Sequence, residues 1–280
     1  MKPLFRYLSA GCSLLLCAQL SFAQGVKMPA PSPGQTIHQD FALSFVEVNY
    51  SRPAAKGRTI MGDLVPYDKV WRTGANGATV ITFGEDINFG GTAVKAGKYG
   101  LLTIPGKSEW TVILTKSLDV TSPAAYKPEN DVVRVKVKPV ALPFSIENFM
   151  IGFDDVKPSS ANLMLMWEKT MIPVKLTAEV DDKIMAQLET AMKGDKKPYF
   201  QAATYYYETN RDLKQALTWV DAAIQENASA FWIVTLKARI QAKSGDKKGA
   251  KATAEKAIEL AKTAKNDDYV VINQKIIASL

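Results

Sequence analysis

Cysteine and histidine are almost missing from this chain, which has 2 Cys and 1 His in 280 residues. Both cysteines, Cys12 and Cys17, fall near the N-terminus, and the histidine, His38, stands alone. Zinc sites draw on sets of Cys and His, and disulfide frameworks on several cysteines, so both are excluded. A Ser-His-Asp triad would have to be built on His38, which has no Ser or Asp partner recognisable by spacing and reads as an edge-strand or linker residue. Long hydrophobic runs are scarce too. The apolar stretch at residues 8–20 is shorter than the roughly 20 residues that span a bilayer, and no later segment approaches that length. Neither an Asp-x-Asp-x-Asp-Gly calcium loop nor a glycine-rich phosphate loop is present. No metal and no cofactor is implied.

What the N-terminus does have is the pattern of an export signal. Lys2 and Arg6 precede the apolar run, and Ser21-Phe22-Ala23 places small residues at the two positions a signal peptidase inspects. Residues 1–23 are therefore expected to be removed, and Cys12 and Cys17 with them, leaving Gln24 first. The expected location is outside the cytoplasm, periplasmic before secreted or outer-membrane-associated. The mature chain is expected to be without a transmembrane segment. Its stability must come from packing, since no cysteine remains to cross-link it.

The whole-chain formal charge of +7 falls by two when Lys2 and Arg6 leave, and the remaining excess is spread evenly along the chain. Nucleic-acid binding uses clustered Lys and Arg to displace counterions. Both the even spread and the export signal argue against a nucleic-acid partner.

A hydrophobic content of 47% and a length of 280 residues predict two globular domains. Residues 24–36, with Pro29, Pro31 and Pro33, read as an extended leader. From 37 to 177 the pattern is short β segments separated by turn residues. Val46, Val48 and Tyr50 alternate with Glu47 and Asn49, and Val133, Val135 and Val137 with Arg134, Lys136 and Lys138. Gly90-Gly91 between 87–89 and 92–94 is a two-residue hairpin signal, because glycine tolerates positive φ. Further segments at 80–83, 99–104, 110–114, 149–153, 163–167 and 172–176 bring the expectation to about nine strands, without helical pattern between them. An antiparallel β-sandwich follows.

After Thr177 the period changes from two to 3.6, so residues 178–280 are expected to be helical. Ile184, Leu188 and Met192 stand four apart, with Gly194 as a stop and Pro198 in the next first turn. Asp212 and Asp246 suit helix N-caps. They lie 34 residues apart, as do Ala216 and Ala250, Ala223 and Ala257, and Ile224 and Ile258, the period of tetratricopeptide repeats. A short array of such repeats is expected, closed by a helix at 268–280, with the helix around Ile184 as a cap.

Several motifs are dense in the β region: Tyr50-Ser51-Arg52-Pro53, Lys56-Gly57-Arg58, Gly62 with Leu64-Val65-Pro66-Tyr67, and Val70-Trp71-Arg72-Thr73-Gly74-Ala75-Asn76. Ala96-Gly97-Lys98-Tyr99, Ile104-Pro105-Gly106 and Glu109-Trp110-Thr111-Val112-Ile113 follow. Together they resemble the DUF2911 family over about Pro31 to Leu176. The resemblance implies an exported protein of the kind found mainly in Bacteroidetes, and it implies no activity. Between Lys116 and Asp131 the chain departs from relatives, many of which carry a longer, aromatic-containing segment there. Some members bear the label asparagine synthetase. The chain supports neither half of that chemistry, having no N-terminal cysteine nucleophile after export and no phosphate loop.

Arg52, Lys56, Arg58, Trp71, Arg72, Thr73 and Asn76 form the densest collection of ligand groups. Three guanidiniums so close in sequence suit a carboxylate or phosphate, Trp71 suits a sugar face, and Asn76 suits hydroxyls. The structural alternative buries Trp71 in the core and ties Arg72 to Asp63, Asp68 or another carboxylate. Tyr205, Tyr206 and Tyr207 stand about 100° apart on a helix, so at most two face one groove. Tyr205 and Tyr206 are candidates for contact with an envelope protein or peptide. The expected function is a non-catalytic binding or scaffolding module of the cell envelope, its β domain taking an anionic or sugar small molecule and its helices a protein partner. The alternative is an envelope hydrolase of glycans or peptides using carboxylates from separate strands, for example Asp63 with Glu85.

Overall fold

The computed structural model describes residues 28–280. The expected signal segment 1–23 and the start of the leader lie outside the described residues. The described chain divides into two compact units, a β unit ending at Leu176 and a helical unit running from Thr177 to Leu280, with residues 157–160 grouped with the helices.

The β unit contains β1 (Gly34–Phe41), β2 (Ser44–Ser51), β3 (Val80–Phe83), β4 (Ile87–Phe89), β5 (Thr92–Val94), β6 (Gly97–Ile104), β7 (Trp110–Thr115), β8 (Asp131–Val137), β9 (Val140–Lys157) and β10 (Ser160–Thr177). They form two antiparallel sheets, one ordered β1-β2-β3-β6-β7-β8 and the other β5-β4-β10-β9. Strand β1 starts at Gly34, inside the expected leader, because its ladder with β2 runs from Gly34 opposite Ser51 to Phe41 opposite Ser44. Gly90 and Gly91 make the β4–β5 turn with φ of 56° and 88°, as two-residue hairpins require.

The alternation read in β2 puts Val46, Val48 and Tyr50 inside and leaves Asn49 exposed. These inner residues meet the second sheet. Tyr50 lies edge-on to Phe149 of β9 at 5.8 Å, and Phe83 of β3 meets Phe89 of β4 at 6.2 Å. The architecture is therefore a β-sandwich, each buried aromatic or aliphatic side chain contributing about 1.5–3 kcal/mol by leaving water. A second, smaller core lies on Leu102 and Ile113, covered by Val70, Ile104, Val120 and Tyr126.

Segments 163–167 and 172–176, expected as two strands, belong to β10 alone. Apart from Met164, buried positions are odd-numbered from Ala161 to Trp167 and even-numbered from Ile172 to Leu176. Glu168, with φ of 49°, inserts the extra residue that shifts the phase, as a β-bulge does. Its Oε2 accepts the Ile60 and Met61 N–H groups at 3.3 and 3.4 Å.

The helical unit contains α1 (Asp181–Ala191), α2 (Tyr199–Glu208), α3 (Leu213–Glu226), α4 (Phe231–Lys243), α5 (Lys247–Thr263) and α6 (Asp267–Ala278). Asp212 caps α3 by accepting the Lys214 and Gln215 N–H groups, and Asp246 caps α5 by accepting that of Gly249. Pro198 stands at the N-cap of α2, one position before the expected first turn. Of the positions repeating at 34 residues, Ala216, Ala223, Ala250 and Ala257 are buried and Ile224 and Ile258 partly buried, so small side chains mark the inner faces of α3 and α5. No helix among the described residues is long and apolar enough to cross a membrane.

Candidate functional site

The β-unit residues singled out by sequence are engaged one by one with their own main chain. At the end of β2, the Arg52 Nε–H donates to the Phe149 carbonyl at 3.1 Å, and the Tyr50 hydroxyl accepts the Ile151 N–H at 2.9 Å. The chain then crosses to β9, where the Ala55 N–H donates to the Glu147 carbonyl and the Phe149 N–H to the Pro53 carbonyl, each at 2.8 Å. Lys56 is exposed in the left-handed region, and its backbone N–H is held by Glu147 Oε1 at 2.8 Å. Arg58 folds back on its own turn, donating from Nε to the Ala55 carbonyl at 3.0 Å and from Nη2 to that of Ala54 at 2.7 Å.

Trp71 pairs its backbone with Thr103 of β6, and its ring stacks on Trp167 at 5.8 Å and meets Phe149 edge-on at 5.0 Å. Arg72 donates from Nη1 to the Thr121 carbonyl, pinning the segment that follows β7. Its partner is thus a main-chain oxygen, where a carboxylate of Asp63 or Asp68 was the expected structural partner. Thr73 is fully buried in the left-handed region, its hydroxyl 3.1 Å from that of Thr103. A Cβ on Gly74 would lie 2.9 Å from Thr79 Oγ1 and 3.1 Å from the Ser51 carbonyl, which is why glycine stands there. Asn76, also left-handed, donates from Nδ2 to the Ser32 carbonyl at 2.9 Å.

Glu85 accepts the Leu43 N–H at 2.8 Å, and Asp63 sits in the turn that joins Ile60 and Val65. His38 stacks on Phe45 at 4.8 Å beside Glu47. Among the described residues no group of three or more His, Cys, Asp or Glu side chains stands together to hold a metal ion. Asp131 joins Tyr126 and Arg134 in a compact triad, with the Tyr126 hydroxyl 2.5 Å and Arg134 Nε 2.7 Å from Oδ2. Burial, then the hydrogen bond to Asp131, pushes Tyr126 up to about 12.

The helical unit is arranged differently. Tyr205 and Tyr206, adjacent on α2, part company as the 100° helical step demands. The Tyr205 hydroxyl donates to Asp181 Oδ1 of α1 at 2.5 Å, and Arg211 donates to Oδ2 of the same carboxylate. The Arg211 guanidinium also lies 5.8 Å from both tyrosine ring centres. Arg211 first, then Tyr205, holds the Asp181 carboxyl below its ordinary value. Burial and the Asp181 hydrogen bond push Tyr205 up to about 12.

Tyr206 turns instead toward a groove of about 530 Å³ lined by Met185, Leu188, Glu189, Met192, Lys193 and Trp219. Trp219 of α3 stands edge-on to Tyr206 at 4.7 Å. No residue of α1 is fully buried, so its apolar stripe remains available across the groove. Periodicity already marks Leu188 and Met192 as one stripe; that Met185, Trp219 and the Glu189–Lys193 ion pair complete the wall is a tertiary fact.

A two-sheet β-sandwich carrying an appended helical array is the class of protein these units define. Within it, the chain belongs to the family described as protein of unknown function (DUF2911), whose profile matches residues 32–176. Neither a curated protein nor a solved structure matches the chain.

Proposed function

We propose that the protein is an exported, non-catalytic binding module of the cell envelope, whose helical unit holds an apolar segment of a partner protein. The export-signal pattern expected of residues 1–23 supports the location. The observation that carries the binding role is the groove walled by Met185, Leu188, Met192, Tyr206 and Trp219. Two aromatic rings and flexible methionines suit an interface that buries aliphatic side chains of varied shape. The 34-residue spacing of buried alanines supports the tetratricopeptide-like reading, a scaffold that presents peptide grooves.

Charge narrows the occupant. Lys193 borders the groove at the C-terminal end of α1, and Lys196 and Lys197 follow it, all three exposed. A partner segment with aliphatic residues on one face and acidic residues beside them meets both features. In this reading the cluster of Arg52, Lys56, Arg58, Trp71, Arg72, Thr73 and Asn76 is framework. Its support is that each guanidinium already donates to a main-chain carbonyl.

The test is fluorescence anisotropy of the mature chain with a labelled amphipathic peptide of about 14 residues, leucine at helical spacing and glutamate between. The expected result is saturable binding that Leu188→Asp weakens by at least about tenfold, with the helical circular dichroism unchanged. A lysine-for-glutamate version of the peptide should bind more weakly. Absence of binding, or equal binding by the Leu188→Asp variant, overturns the reading.

A further inference from the structure

Helix α6 carries a second exposed surface, distinct from the groove at α1. Its inner face is committed to the array. Tyr269 stands edge-on to Phe231 of α4 at 4.8 Å, and the buried Asn273 donates to Thr235 Oγ1 and to the Tyr269 carbonyl, each at 2.8 Å. On the opposite face Asp268, Val271, Ile272, Lys275 and Ser279 follow at helical spacing and form one stripe. Val271 is 46% exposed, a high value for a β-branched aliphatic side chain within a helix. Ile272, Lys275, Ile276 and Ser279 join Arg239 of α4 around a shallow cleft of about 320 Å³.

We infer that α6 is the contact through which two copies of this chain pair, antiparallel about a two-fold axis. The charges carry this choice of partner. Asp268 and Lys275 lie seven residues apart on the stripe, with Val271 and Ile272 between them. A two-fold axis perpendicular to the helix at the apolar pair places Asp268 of each copy against Lys275 of the other. It also sets Val271 of each copy against Ile272 of the other. Such self-complementarity is what an isologous interface demands, since one patch must serve as both partners. The antiparallel setting also brings opposite helix dipole ends together.

The contact is small. A helix of 12 residues is about 18 Å long, so the pair buries less than a standard interface of about 1,600 Å². Dimerisation is therefore concentration-dependent. Sedimentation velocity on the full mature chain, from low micromolar to near-millimolar concentration, should show a monomer passing to a dimer. Asp268→Lys alone and Lys275→Asp alone each set like charges against each other and should weaken the dimer at least about tenfold. The double variant Asp268→Lys with Lys275→Asp restores the pairing and should recover dimerisation. These side chains are exposed, and unchanged helical circular dichroism checks that each variant folds. A chain that stays monomeric throughout, a dimer indifferent to the single substitutions, or a double variant without recovery each overturns the inference.

Discussion

The two units spend their polar side chains in different ways. In the β unit, beside strand and hairpin pairs such as Lys95–Asp86, Lys136–Glu109 and Arg134–Asp131, Arg52, Arg58 and Arg72 donate to main-chain carbonyls, and Glu85, Glu147 and Glu168 accept main-chain N–H groups. In the helical unit, beyond the caps, Asp181 meets Arg211 and Tyr205, and Asp221 meets Lys237, side chain to side chain. The cause is the backbone. A sandwich is joined by long irregular connections such as 52–79, whose peptide groups have no ladder to join and must be satisfied by side chains. Helices satisfy their own peptide groups except at the ends, so their side chains are left to shape a surface. The region richest in apparent ligand groups is thereby the more occupied one, and the plainer helices keep the open groove.

The most severe way to test this contrast is to open the sandwich. Trp167 is buried, stacks on Trp71 and donates from Nε1 to the Glu147 carbonyl at 3.1 Å. Trp167→Ala should destabilise the β unit by about 3–5 kcal/mol, the cost of truncating a large buried aromatic residue. Calorimetry should show the loss in one transition, with the helical signal melting where it did before. A shared shift of both transitions would mean the units are not separate cooperative bodies.

A single hydroxyl provides a finer comparison. Tyr50→Phe leaves the Ile151 N–H without its acceptor inside the sandwich, which should cost about 1–3 kcal/mol. Tyr206→Phe removes a hydroxyl from a groove wall and should change stability by less than about 0.5 kcal/mol. Urea melts of the two variants measure both. Equal costs would break the contrast between a unit that consumes its polar groups and one that displays them.

Much of this division is legible from residue pattern alone. The Gly90-Gly91 hairpin, the caps at Asp212 and Asp246 and the buried alanines at 34-residue spacing are local devices, settled by φ, by orphan N–H groups and by helix packing. Strand β10 is harder to read as one element, because Glu168-Lys169 resembles a turn. Its identity as a bulge depends on Ile60 and Met61, more than a hundred residues earlier. The guanidiniums of 52–72 are hidden for the same reason: their acceptors are carbonyls, which every residue has and no motif advertises. The parting of Tyr205 from Tyr206 follows from the helical step, but which of them faces the groove depends on where Asp181 lies.

Smaller in effect is the loss of a cap. Asp212 satisfies two N–H groups at the start of α3, and Asp212→Ala should cost the helical unit about 1 kcal/mol. The β unit should not respond. A chemical-denaturation midpoint read by helical circular dichroism gives the number, and a shift in the calorimetric transition of the sandwich would argue against the independence of the two units.

The least costly change falls on α1, which has no fully buried residue and is attached through Asp181. That carboxyl is held below its ordinary value of 3.8 by Arg211 and then Tyr205. A lowered folded-state value means the contribution is present above pH 3.8 and disappears as pH falls through the lower value in the folded state. On the alkaline side Tyr205, pushed up to about 12, keeps its hydroxyl proton well past the ordinary tyrosine range. The attachment should therefore hold from weakly acidic to strongly alkaline solution and fail first in acid. Because Asp181 is exposed, global stability should scarcely move. Hydrogen exchange should instead show α1 amides losing protection below about pH 4, while α2 to α5 stay protected. Asp181→Asn should remove that pH dependence and leave α1 equally open at every pH. If the wild-type α1 amides exchange at a pH-independent opening free energy, packing rather than this carboxylate sets the groove's outer wall.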